Sequence, residues 1–295
     1  MNTTLYALLA VFSWSTAATA FKLALNQVHP ILLVFLSSLF SSIILFIILL
    51  IIRRGKIFKG INPKNMLKSM EIGILNPFIY YSVLFYAYRQ TMAQEALILN
   101  YTWGIFLVIF SIIFLKQKIK PLSLISLFIS FFGIVIIATK GNLLHFTISF
   151  SKGNILALSS AIIWATYWII NIKNSEDPII SLFFQFLTGS IFAFIACILL
   201  QYIDFNLNLT TILYSAYIGA FEMSIPFVLW FIALKNTTNT AKVANLIYLS
   251  PFFSLFFISA ILGETIHSSS FIALIFIVIG LILQQYSDIL YKNIV

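Results

Sequence analysis

Ten runs of apolar residues, each about 20 long, dominate this chain and leave it few architectures to choose from. They fall at approximately 4–25, 31–52, 69–88, 94–115, 121–139, 153–171, 179–201, 211–234, 241–262 and 270–290. A helix rises about 1.5 Å per residue, so each run can cross a hydrocarbon layer about 30 Å thick. Lipid offers the backbone no hydrogen bonds, and helices satisfy their own. The reading is an all-α membrane protein of ten transmembrane helices. The chain is 61% hydrophobic and 8% charged, where soluble domains carry about 25% charged residues. The longest connection, RRGKIFKGINPKNMLK from Arg53 to Lys68, leaves no room for a soluble domain. The first run has no basic stretch before it and reads as a retained span rather than a cleaved signal.

The net charge of +9 does not point to nucleic acid, because the positive residues punctuate the ends of apolar runs. With the N-terminus inside, 13 of the 17 Lys and Arg fall on the cytoplasmic side. The other side receives Lys22, Arg89, Lys140 and Lys152. This bias predicts both termini in the cytoplasm and a multi-pass protein of the bacterial-type cytoplasmic (inner) membrane. Cys197 is the single cysteine, inside an apolar run, so no disulfide framework is expected. His29, His145 and His267 are too scattered for a metal site. A Walker-type phosphate loop is missing, so this chain does not hydrolyse ATP. No cofactor is expected.

The two halves resemble each other. YTWGIFLVIFSIIFLKQKIKP (Tyr101–Pro121) and YLSPFFSLFFISAILGETIHS (Tyr248–Ser268) align at an offset of 147, which also carries Gly133 onto Gly280. Ala87, Arg89 and Thr91 fall on Ala233, Lys235 and Thr237 at an offset of 146, and Trp14 falls on Trp164 at 150. Two repeats are expected, 1–140 and 150–295, each of five spans. Five is odd, so the second enters the membrane from the opposite side. Such inverted repeats place substrate sites at their interface near the midplane.

On these residues the chain resembles the ten-span EamA-type branch of the drug/metabolite transporter superfamily. The resemblance covers nearly the whole chain. Each half of such proteins opens with a Trp-containing helix, here Trp14-Ser15 and Trp164-Ala165. Each typically ends in a Pro-containing helix, a Leu-Gly-Glu turn and a final helix with Gly. The second half supplies Pro251, Leu262-Gly263-Glu264 and Gly280. The first half departs from this, with Trp103 in place of the Pro and Lys116-Gln117 in place of Gly-Glu. The resemblance implies a pathway built from the first, third and fourth helix of each half. It also implies alternating access and movement of small metabolites, often amino acids.

The sequence holds only 8 carboxylates, and one of them, Glu222, falls near the middle of the eighth span. An ionisable residue at that depth is a functional-site hypothesis by default, here for proton coupling or for pairing with a substrate amine. Ser215, Gly219, Glu222, Pro226 and Trp230 share a helical spacing and are expected on one face toward a cavity. Pro226 removes a backbone bond and is expected to kink the span, as a hinge or as static shape. Ser160, Trp164, Tyr167, Trp168 and Asn171 form a second such stripe. Asn76, Tyr80 and Tyr81 mark the third span, Asn100, Tyr101 and Trp103 the fourth, and Asn245, Tyr248 and Pro251 the ninth. Pro251 is a further gating candidate. Aromatic faces can stack on apolar groups or hold ammonium ions. Lys22 follows Trp14 and Ala18 on one face and either snorkels outward or pairs with Glu95. Glu264 is expected to order its turn.

The leading expectation is a secondary transporter of small organic solutes, such as amino acids, working as a monomer or homodimer in lipid. Protons are one possible driving ion. A multidrug or quaternary-cation exporter would use the same residues. A membrane-embedded enzyme would concentrate Asp, His or Lys where phosphate or metal sits, which this chain does not do. A channel would need a ring of repeated carbonyls or acids, which the sequence does not suggest.

Overall fold

The computed structural model describes residues 3–55, 59–116, 121–138, 141, 151–171, 174–202, 207–236 and 246–292. The protein is an all-helical membrane protein of ten spans. We number them α1 (Thr3–Leu25), α2 (Pro30–Ile52), α3 (Pro63–Gly73, Ile74–Ile79 and Tyr80–Gln90), α4 (Ala93–Asn100 and Trp103–Leu115) and α5 (Pro121–Ala138). The second half supplies α6 (Lys152–Asn171), α7 (Pro178–Leu199), α8 (Leu209–Phe221 and Ile225–Asn236), α9 (Ser250–Leu262, after a 3₁₀ turn at Leu246–Leu249) and α10 (Ser268–Lys292). Large side chains such as Phe12, Ile51, Phe128, Leu199 and Phe256 point outward, where only lipid can receive them.

Span ends follow local chemistry. α3 starts at Pro63, ahead of the expected position 69. Asn62 caps the helix by accepting the Lys64 N–H, and proline needs no partner at a first-turn position. Asp177 and Asn208 cap α7 and α8 in the same way. His29 caps α2, its Nδ1 accepting the Ile31 N–H at 3.4 Å. Nε2 then carries the ring proton and faces the Tyr86 hydroxyl at 3.2 Å, while the ring stacks on Tyr202 at 3.6 Å. Burial, and then the charge of Arg89, holds the His29 imidazole below its ordinary range. A depressed imidazole in the folded state gives stability that is intact above the unfolded value and declines as pH falls from there through the folded value. Thermal unfolding in detergent at stepped pH from neutral to mildly acidic should show that decline. His29→Asn, which keeps a capping oxygen, should flatten it; an unchanged slope would remove His29 as its source.

The two halves pack with a pseudo-twofold relation. Helix α1 lies on α8 and α3 lies on α6, and these pairs exchange when the repeats are swapped. The same swap relates α4 on α6 to α9 on α1, and α2 on α8 to α7 on α3. Helix α2 packs on α7 and α5 on α10, each with its own counterpart. Five spans per half make the repeats inverted. The glycines matched in sequence explain one of these contacts. A Cβ at Gly133 would meet Ala273 O and Ile277 Cγ1, each at 2.7 Å. One at Gly280 would meet the Ser130 hydroxyl, with Ser126 O at 2.6 Å. Only glycine lets the α5 and α10 backbones approach this closely.

Candidate functional site

Between the halves lies a cavity of about 300 Å³, walled by α1, α3, α4, α6, α8 and the turn before α9. Four of the five spans around it are interrupted along their length. Helix α1 pauses at Thr16, α3 at Asn76, α4 at Tyr101–Thr102 and α8 at Glu222–Ser224. The offset of 146 that superposes Ala87 on Ala233 also carries Asn76 onto Glu222, so the breaks in α3 and α8 occupy equivalent positions. Irregular backbone survives at membrane depth only where protein or a wet cavity takes its polar groups.

The α8 break shows how those groups are satisfied. Pro226 has no N–H, so the Glu222 carbonyl, four residues earlier, has no helical partner. The Trp14 indole Nε1–H donates to it instead, at 3.2 Å. Ser13 Oγ donates to the Phe221 carbonyl at 2.9 Å, and Ser41 Oγ to the Met223 carbonyl at 3.2 Å. Helices α1 and α2 of the first repeat thus hold open a break in the second. The sequence signal, a Trp near the start of each repeat, carries no hint that its N–H would meet a broken backbone.

The break turns Glu222 into the cavity, where Tyr81 Oη donates to Glu222 Oε1 at 3.0 Å. Tyr81 is 1% exposed, so the donor side of this bond is buried in protein. Asn100 also lines the cavity; it accepts from Tyr80 Oη at 3.4 Å and donates through Nδ2 to Ser160 Oγ at 2.9 Å. The remaining surface is aromatic. Trp164 stacks on Tyr80 with centroids 4.6 Å apart and on Tyr167 at 5.0 Å. Trp14 meets Phe227 and Trp230 edge-on at 5.4 and 5.5 Å. Trp103 and Trp168 complete a wall that includes all 5 tryptophans of the protein. Phe21, Tyr88 and Phe227 also line it and were not singled out from sequence, because nothing local separates them from lipid-facing aromatics.

Several expectations change. Asn76 is fully buried but is not part of the cavity wall. Its backbone is extended (φ −137°, ψ 117°), and Pro77 after it packs against Gly189, so the α3 break docks on α7. Ser215 and Gly219 do not share a face with Glu222. The helix ends between them, and Gly219 packs on α2, where a Cβ would meet Ser37 O at 2.7 Å. Pro226 is not an interior kink. It sits in the first turn of the second α8 segment, and the break precedes it. Pro251 likewise opens α9, where proline costs no hydrogen bond. Asn245 lies outside the described residues, as does the side chain of Tyr248, whose backbone belongs to the 3₁₀ turn.

Past Tyr88, the end of the cavity away from the chain termini meets a polar lattice. Lys22 does not take Glu95 as its partner. Its Nζ donates to the Tyr88 and Thr91 carbonyls at 2.8 and 2.6 Å, at the negative end of α3. Glu95 accepts from Thr91 Oγ1 at 2.8 Å. Glu264 reaches across to the start of α4, where its carboxylate accepts the Ala93 and Gln94 N–H groups at 2.9 and 3.4 Å. Gln94, fully buried, answers by donating to Thr265 O at 3.0 Å and accepting the His267 N–H at 3.1 Å. The turn between α9 and α10 is thereby locked onto α4 of the other repeat.

The EamA-like transporter family model matches residues 1–139 and 151–284. An uncharacterized transporter from Clostridium kluyveri is 30% identical over 227 residues, 73% of this chain and 71% of that protein. One from Archaeoglobus fulgidus is 25% identical over 271 residues, 90% of this chain and 91% of its own. A solved crystal structure shares the fold with a TM-score of 0.67 at 19% identity, covering 99% of this chain and 98% of the other.

Proposed function

This chain belongs to the EamA-like transporter family, and from that premise we propose that it moves small organic solutes through the Glu222 cavity by alternating access. One observation carries the reading. Interrupted helices from both repeats converge on a single hollow, and the carboxylate in it belongs to one repeat while its hydrogen-bond donor belongs to the other. A relative rocking of the repeats would change exposure and carboxylate contacts together. The lattice around Glu264 and Gln94 ties the repeats at the end away from the termini, and it must part for that end to open. Both termini are cytoplasmic in this proposal, following the lysine and arginine bias, and Glu222 is the group through which a proton gradient would drive transport.

Cysteine labelling tests the cavity. In a Cys197→Ala background, Trp103→Cys and Leu107→Cys are expected to react with membrane-impermeant thiol reagents in oriented vesicles. Reaction only with lipid-soluble reagents would place both residues in hydrocarbon and end the proposal.

A further inference from the structure

We infer that the solute held in this cavity is a monovalent organic cation with an aromatic or apolar body, rather than a zwitterion such as an amino acid. The inference rests on the transport reading above and adds the charge of the cargo.

The charge inventory of the wall carries it. Glu222 is the single carboxylate among the described lining residues, and none of those residues is Lys, Arg or His. Lys22, one residue beyond the lining Phe21, commits its ammonium to the Tyr88 and Thr91 carbonyls. A cargo carboxylate would therefore leave water without gaining a positive partner, and an unpaired buried charge is strongly disfavoured. Three of the wall's neutral donors are already engaged. The Trp14 indole N–H bonds the Glu222 carbonyl, the Tyr80 hydroxyl bonds Asn100, and the Asn100 amide bonds Ser160. The Trp168 Nε1–H is sealed from the cavity surface.

An ammonium group meets the opposite situation. Glu222 Oε1 is fixed by Tyr81, and Oε2 has no partner among the described residues. Aromatic rings attract cations through their negative faces, and the attraction grows when water is excluded. Trp14, Tyr80, Trp164 and Trp230 line the same cavity as the carboxylate. A hollow of about 300 Å³ takes one small solute.

All 5 tryptophans line the cavity, so intrinsic fluorescence of the full-length protein in nanodiscs reads occupancy directly. Four probes share one phenethyl body: phenethylamine, its N,N,N-trimethyl derivative, phenylalanine and 3-phenylpropionate. Both cations are expected to give saturable quenching with affinity about tenfold or more above phenylalanine and phenylpropionate. Glu222→Gln should remove that preference. Equal or tighter binding of phenylalanine or phenylpropionate would overturn the cation assignment, as would saturable binding of none of the four. Neither result touches the transport reading, which the impermeant-reagent labelling tests separately.

Discussion

Glu222→Gln is expected to cut transport by about ten- to a hundredfold, the equivalent of one charged hydrogen bond worth roughly 1.5–3 kcal/mol. The amide keeps the side chain's volume, and its carbonyl oxygen can still accept from Tyr81, so the fold should persist. Only the charge and the exchangeable proton are lost. Uptake or efflux in proteoliposomes, with and without an imposed proton gradient, measures the loss, and thermal unfolding confirms that the variant is folded. Tyr81→Phe provides the complementary change. It keeps the carboxyl and removes the donor that holds it at 3.0 Å, so it should shift the pH profile of transport rather than abolish transport. Undiminished transport by Glu222→Gln at every pH would take this residue out of the mechanism.

The second large effect is on stability. Gly280→Leu should destabilise the protein by about 3 kcal/mol or more, since overpacking against atoms that cannot yield sits at the upper end of core substitutions. The atoms in its way include the Ser126 carbonyl at 2.6 Å and the Ser130 amide nitrogen at 2.9 Å, both helix backbone. Helix α10 would have to separate from α5 along their contact. The adjacent Ile279 is 45% exposed to the lipid side, and Ile279→Leu should change stability by less than about 0.5 kcal/mol. Fluorescence-detected melting of the two variants in one detergent compares them. A Gly280→Leu protein that melts with the parent would show that α5 and α10 do not pack this closely.

The repeat signal proved most informative where it had a backbone cause. Gly133 and Gly280 match because the α5–α10 crossing is tight on both sides of the pseudo-twofold axis. Trp14 and Trp164 match, yet their surroundings differ. The Trp14 N–H fills a carbonyl vacated by Pro226, while Trp164 lies flat between Tyr80 and Tyr167. Helical spacing failed at Ser215 and Gly219 because it assumes an unbroken helix, and α8 is broken before Pro226. A proline in a sequence announces a lost hydrogen bond, but it does not say where the helix will part or who will satisfy the orphaned carbonyl. The sequence predicts that Glu264 orders its own turn, whereas its carboxylate caps the start of α4 in the other repeat.

What this sequence determined alone is its ten spans and the family they resemble, because a membrane forces each segment to satisfy its backbone locally and apolar length is local information. The tertiary structure alone decided which residues share the hollow. Tyr81 reaches Glu222 across 141 positions and Trp14 reaches it across 208, and hydrogen bonds between repeats follow from how two bundles pack, which no window of the chain encodes.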